Sequence, residues 1–239
     1  MNIAILGAGI IGVTTAYELA ADGHQVTVFE RHASVAEGAS FANAGVVAPG
    51  YVTPWAAPGM PAKVLGHLLA RHAPVRVRRP LAAADLAWMR QWRAACDPAT
   101  YAANRTRMLR LAFYSRHRLH EVAARMAYDF DRSSGYMVLL RGDRDRQMVQ
   151  PGLALLRELE VPFHEITADE ARQIEPALHP HTPLAGAVHL PQDEVGNCRQ
   201  FAVILRDAAE QLGARFVFNT AVSAVDTAQT ATLYIAGET

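Results

Sequence analysis

Residues 2–12 read Asn-Ile-Ala-Ile-Leu-Gly-Ala-Gly-Ile-Ile-Gly, and this stretch decides the fold. Asn2–Leu6 is a short apolar run rich in branched residues, the pattern of a buried parallel strand. Gly7-Ala8-Gly9-Ile10-Ile11-Gly12 is a tight turn that opens a helix over Ile10–Asp22, with Gly23 as its C-terminal stop. Each glycine has its own reason. Gly7 permits the sharp exit from the strand, Gly9 lets a diphosphate approach the backbone, and Gly12 lets the helix pack on the strand. First-turn N–H groups have no partner within a helix and point at a bound anion. Gln25–Glu30 (QVTVFE) is a second strand, and Glu30 stands at its end, where a carboxylate accepts the hydroxyls of an adenosine ribose. That carboxylate would repel a 2′-phosphate, and Arg31 beside it weakens the exclusion. The strand, turn, helix and acidic strand end agree on an adenine dinucleotide, and they leave NAD and FAD equally open.

Outward from this unit, residues 31–61 read as loop. Six of the 13 prolines lie between Pro49 and Pro80, so little regular structure is expected there. Helices are expected over Leu81–Ala95 and Thr100–Met126, with Trp88, Met89 and Trp92 as core. Further along, strands are expected over Tyr136–Arg141, Pro162–Ile166 and Ala185–Leu190, and a helix over Asp143–Leu159. Thr167 and Glu170 form a capping box. Asp193 and Glu194 read as a general acid/base pair or, equally, as turn and capping residues before an amphipathic helix over Asn197–Leu212. Strands then follow over Arg215–Asn219, Ala221–Asp226 and Thr230–Ile235.

The chain has 239 residues, of which 51% are hydrophobic and 19% charged, which excludes a disordered chain. Its 23 basic and 23 acidic residues balance, which argues against a nucleic-acid binder. The balance is uneven along the chain. Residues 46–128 hold thirteen basic and three acidic residues, net +10, between acidic flanks. This basic stretch, 62–125 in particular, reads either as a solvated arginine-rich face or as a peripheral contact with an anionic membrane surface. Two cysteines, Cys96 and Cys198, make no disulfide scaffold, and a reducing, cytoplasmic setting is expected. His179 and His181 flank a proline without a third ligand nearby, so no metal site is expected.

Residues 38–61 (GASFANAGVVAPGYVTPWAAPGMP) crowd small residues into one loop, where Ser40 and Asn43 can hydrogen-bond a ligand. The chain resembles the FAD-dependent D-amino-acid dehydrogenase family, within the D-amino-acid oxidase and glycine oxidase superfamily. The resemblance is carried by Gly7–Gly12, Glu30-Arg31, Ser40, Ala42-Asn43-Ala44-Gly45 and Pro49-Gly50-Tyr51. It continues through Pro54-Trp55-Ala56-Ala57-Pro58-Gly59, Arg71-His72-Ala73-Pro74, Leu190-Pro191, Asp193-Glu194 and Gly196.

The resemblance implies an α/β fold: a Rossmann-like FAD-binding domain (1–128 with 191–239) and the beginning of a second, mixed-sheet substrate domain (129–190). It implies FAD as cofactor, held by Gly7, Ala8, Gly9, Ile10, Ile11, Gly12, Glu30, Arg31, Ser40, Asn43, Ala44, Gly45 and Val222. Asn219, Thr220 and Val222 match a turn that flanks the adenine. It further implies a D-amino-acid substrate such as D-alanine, a quinone or other electron acceptor, and a seat at the inner face of the plasma membrane. Tyr51 and Trp55 are candidates for the substrate entrance or a quinone contact. Family members continue for roughly as long again. The chain is therefore expected to be a portion of a longer protein, with its catalytic residues unassigned and FAD or nucleotide binding without turnover as the alternative.

Overall fold

A computed structural model describes residues 1–68, 80–126, 129–228 and 231–236. Arg71-His72-Ala73-Pro74 and part of the basic stretch lie outside the described residues. Residues cluster into two compact units, Met1–Val47 with Glu121–Thr239, and Ala48–His120.

The first unit holds the expected strand, turn and helix. β1 (Asn2–Leu6) pairs in parallel with β2 (Gln25–Phe29), so that Ile3 faces Val26 and Ile5 faces Val28. β7 (Arg215–Val217) adds to β2, also in parallel. α1 (Ile10–Ala21) buries Val13, Ala16, Tyr17 and Ala20. α7 (Cys198–Gln211) packs against α1 and buries Phe201, Ala202, Leu205 and Ala209. These two helical stripes fix α1 on its sheet, at about 1.5–3 kcal/mol for each large apolar side chain removed from water. Asn197 caps α7 by accepting the Gln200 N–H at 3.1 Å.

A second sheet in the same unit is antiparallel. β6 (Gly186–Val195) pairs with β3 (Val46–Val47), β4 (Ser133–Leu140) and β5 (His164–Ile166). α5 (Asp143–Glu158) follows β4, and α6 (Ala168–Ile174) starts at the expected Thr167–Glu170 capping box. β8 (Val222–Asp226) and β9 (Thr232–Ile235) form an antiparallel pair.

Two expectations here change. β6 runs on past Leu190 to Val195, so Asp193 and Glu194 are strand residues, 2% and 7% exposed, rather than turn or capping residues. The register with β4 jumps from Tyr136↔Leu190 to Ser134↔Glu194, so Pro191–Asp193 form a bulge opposite Gly135. That bulge accommodates Pro191, which has no N–H for a regular ladder. The expected domain boundary at 190/191 consequently falls inside β6.

The second unit is helical. After a 3-10 turn (Pro49–Tyr51) come α2 (Met60–Leu68) and α3 (Ala83–Ala95). α4 (Pro98–Met126) runs on into the first unit. α2 lies where loop was expected. Its proline, Pro61, stands in the first turn, where a helix tolerates a residue without an N–H. Trp88 and Met89 were expected in the core, yet they are 54% and 40% exposed, and α3 has no buried residue.

Candidate functional site

The glycine turn adopts the geometry its sequence demands. Gly7 has φ +95°, a conformation side-chain-bearing residues rarely take, and its N–H donates to the Phe29 carbonyl at 2.8 Å. A Cβ on Gly12 would overlap the Gly7 carbonyl oxygen. Gly9 is the extended residue before α1 and supplies no side-chain cap. The first helical bond is Val13 N–H to Gly9 C=O at 3.0 Å, so the amides of Ile10, Ile11 and Gly12 precede it. No acidic residue stands in this first turn. Ser40, only 9% exposed, accepts the Ile10 N–H on its Oγ at 3.0 Å. Among the described residues, the Gly9, Ile11 and Gly12 N–H groups have no acceptor. A Cβ on Gly9 would lie 3.3 Å from Ser40 Oγ and fill the space beside these amides.

Glu30 ties the turn to the sheet. It is 8% exposed, and its Oε2 accepts the Ala8 N–H at 2.6 Å while Oε1 accepts the His32 N–H at 2.9 Å. Its backbone N–H donates to Val217 C=O at 2.9 Å, and its carbonyl accepts the Thr220 N–H at 2.9 Å. The Asn219 N–H donates to His32 C=O at 3.0 Å from a left-handed backbone, φ +54°. Asn219 and Thr220 are thus brought directly beside Glu30–His32. A carboxylate has roughly four acceptor directions, so both oxygens keep capacity for ribose hydroxyls. Arg31 is exposed and its Nε donates to His32 Nε2 at 3.2 Å.

The remaining loop residues bond within their own loop and to the second sheet. The Asn43 Oδ1 accepts the Gly45 N–H at 2.8 Å, a local turn. Ala44 is exposed. Gly45, φ +62°, accepts the Gly196 N–H at 2.8 Å, and a Cβ there would overlap the Gly196 carbonyl. Asn43, Ala44 and Gly45 therefore seat β3 on the end of β6, and no hydrogen bond among the described residues joins them to the glycine turn. Val222 begins β8, two residues after Thr220. Sequence reading missed Val35 and Ala36, both buried, of which Ala36 donates its N–H to the Ala8 C=O at 2.9 Å. Ala36 has φ +57°, and alanine gives no sequence signal for that conformation.

Away from the turn, His189 on β6 faces His164 on β5, with ring centroids 6.4 Å apart. Burial, then the charge of His164, hold His189 below the ordinary imidazole value.

A family model described as FAD dependent oxidoreductase (DAO) matches residues 2–239. The chain belongs to the DAO family of FAD dependent oxidoreductases. Its cofactor is FAD, and the turn fits the diphosphate of that group: uncapped amides at a helix start, no acid beside them, and open space where a side chain on Gly9 would stand. Solved structures share the fold. Glycine oxidase from Geobacillus kaustophilus matches at 22% identity with a TM-score of 0.68, over 98% of this chain and 51% of that one. Iminodiacetate oxidase from Chelativorans sp. BNC1 matches at 20% identity and 0.62, over 99% and 51%. L-amino acid deaminase from Proteus myxofaciens, in complex with anthranilate, matches at 16% and 0.63, over 95% and 40%. This DAO-family chain thus spans about half the length of these structures or less.

Proposed function

We propose that this chain is the FAD-binding portion of a D-amino-acid dehydrogenase acting on substrates such as D-alanine. Balanced, the reaction converts a D-amino acid, water and an oxidised acceptor into a 2-oxo acid, ammonia and the reduced acceptor. Bound FAD supplies the hydride acceptor for the substrate Cα–H. The observation that carries the reading is the glycine turn locked by Glu30, with the Ile11 and Gly12 amides left open beside Ser40. In this reading Gly7, Ala8, Gly9, Ile10, Ile11 and Gly12 shape the diphosphate seat, and the Ser40 hydroxyl keeps a proton to donate to a phosphate oxygen. Glu30 accepts ribose hydroxyls, Arg31 lies at the ribose edge, and Val222 follows the adenine-side turn. Asn43, Ala44 and Gly45 place the loop that approaches the flavin.

In this reading residues 1–128 with 191–239 serve FAD, and 129–190 begin the part that meets substrate. The D-amino-acid assignment rests on the phrase Pro54-Trp55-Ala56-Ala57-Pro58-Gly59 and its neighbours. The acceptor in this reading is a quinone or another carrier, and the setting is cytoplasmic, at the inner membrane face.

Two specific observations favour other readings. The fold match to glycine oxidase supports a sister enzyme acting on glycine or sarcosine. The span of about half the compared chains supports a fragment that binds FAD and turns over only with a complementing chain. One experiment separates them. The purified chain is reconstituted with FAD, its visible spectrum recorded, and turnover measured on D-alanine with an artificial dye and on glycine and sarcosine with oxygen uptake. Flavin bands with dye reduction by D-alanine are expected. Oxygen uptake with glycine would transfer the assignment to the sister oxidases, flavin without turnover to the fragment, and a colourless protein would remove the reading.

A further inference from the structure

The turn that carries Ser40 is gripped from outside the glycine motif. Residues 37–41 read Glu-Gly-Ala-Ser-Phe, and the Phe41 N–H donates to the Gly38 C=O at 3.0 Å, which closes a tight turn around Ser40. Glu37 and Phe41 flank that turn, and both meet one side chain, 162 residues beyond Glu37. Arg199, the second residue of α7, places Nη2 3.3 Å from Glu37 Oε1. Its guanidinium carbon lies 4.4 Å from the centroid of the Phe41 ring, which is half exposed. One guanidinium thus rests on both ends of the turn whose middle holds the Ile10 amide.

The contact has no reason in α7 itself. A cation in the first turn of a helix opposes the helix dipole, and Asn197 already caps this helix. The turn, by contrast, needs support. A Cβ at Gly38 would meet nothing within 4 Å, and glycine loses the most freedom on ordering. One hydrogen bond, from the Ile10 N–H to Ser40 Oγ at 3.0 Å, is a small return for that loss. α7 is a firm anchor because its apolar stripe packs on α1, the helix whose start Ser40 must reach. The helix that fixes α1 therefore also carries the group that holds the Ser40 turn.

We propose that Arg199 is a positioning residue for the cofactor: its guanidinium latches the 37–41 turn through Glu37 and Phe41, and so keeps the Ser40 hydroxyl on the Ile10 amide beside the diphosphate seat. The inference rests on the role given to Ser40 under Proposed function. Release of FAD then needs the latch to open first. A partly exposed ion pair and a cation–π contact are each weak, and losing both shifts the ratio of latched to open turn by about three- to tenfold.

The test compares Arg199→Met, which keeps the long stem and the helix propensity, with Arg199→Lys, which keeps the cation. Amide exchange by NMR reads the latch in the FAD-free chain. The Ile10 N–H should exchange about three- to tenfold faster in Arg199→Met, while the Val13 N–H, bonded to Gly9 C=O within α1's first turn, should not change. In the FAD-loaded chain, the fluorescence of released flavin after dilution should appear about three- to tenfold faster for Arg199→Met, and Arg199→Lys should recover part of the difference. Urea midpoints of the FAD-free variants should match wild type. A lowered midpoint with Ile10 and Val13 exchange accelerated alike would make Arg199 a structural residue only and overturn the proposal. Unchanged Ile10 exchange would overturn it too, and so would faster Ile10 exchange with unaltered FAD release. A wild-type chain that retains no FAD would remove the flavin reading and the cofactor role with it, while Ile10 exchange would still decide the latch.

Discussion

Replacing Glu30 with alanine separates two roles that a ribose-binding acid ordinarily confounds. In this structure the carboxylate is already engaged before any ligand arrives, by the Ala8 N–H at 2.6 Å and the His32 N–H at 2.9 Å. Ala8 has no exposed surface, so Glu30→Ala strands its N–H without water, at about 1–3 kcal/mol. His32 is half-buried, and water can take over there, leaving a net loss of about 0.5–1.5 kcal/mol. The FAD-free chain should therefore lose about 1.5–4.5 kcal/mol, a large share of the ~5–15 kcal/mol by which domains are stable. Urea unfolding of the FAD-free protein, followed by circular dichroism, reads this loss. FAD titration then reads a second loss of about 1–3 kcal/mol from the ribose. Glu30→Gln should recover only part of the stability, because its NH2 group faces one of the two N–H donors. Superimposable unfolding curves for wild type and Glu30→Ala would refute the clamp and leave ribose binding as the whole role.

Gly12→Ala should cost about 1–3 kcal/mol in urea unfolding and abolish retention of FAD on gel filtration, since the new Cβ overlaps the Gly7 carbonyl and α1 must lift. Ser40→Ala should cost about 0.5–2 kcal/mol because the Ile10 N–H loses its acceptor, and Ser40→Thr should restore most of the urea midpoint. His189 is held below its ordinary value, so the unfolded chain binds its proton first as pH falls. Stability contributed by neutral His189 should thus be complete above the unfolded pKa of about 6.5 and be lost as pH falls toward the lower folded value. His164→Gln removes one of the two causes, and NMR titration should show the His189 midpoint rising toward the unfolded value.

The glycine turn was legible because glycine spacing reports backbone geometry directly. Gly7 needs a positive φ and Gly12 a missing Cβ, and both needs come from neighbours within a few residues. The loop after Ser40 was harder. Asn43 and Gly45 read as ligand contacts; within the chain they also bond to each other and to Gly196, about 150 residues away, a long-range backbone pairing that leaves no local pattern. The same reason hides the length of β6. Pro191 and the two acids that follow look like punctuation, and only the pairing with β4 and β3 shows a bulged strand continuing to Val195. Trp88 and Met89 show the opposite error. Apolar residues at helical spacing predict a buried stripe, yet composition alone does not say that the covering partner lies within the chain.

The division of amides at the turn has a consequence for how FAD is recognised. The protein's own acceptors already satisfy Ala8 through Glu30 and Ile10 through Ser40. Among the described residues the Gly9, Ile11 and Gly12 N–H groups and the Ser40 hydroxyl proton remain for phosphate oxygens, together with the helix dipole, worth about 0.3–1 kcal/mol. These donors grip any diphosphate alike, whether in FAD or as free pyrophosphate. Selectivity must then come from the adenosine side, where Glu30 and the Asn219–Thr220 segment are fixed to one another by backbone bonds on both sides of Glu30. Inorganic pyrophosphate should accordingly compete weakly with FAD while ADP competes well, and Glu30→Ala should narrow that gap. A pyrophosphate affinity equal to that of ADP would locate recognition in the glycine turn alone and remove the part assigned to the end of β2.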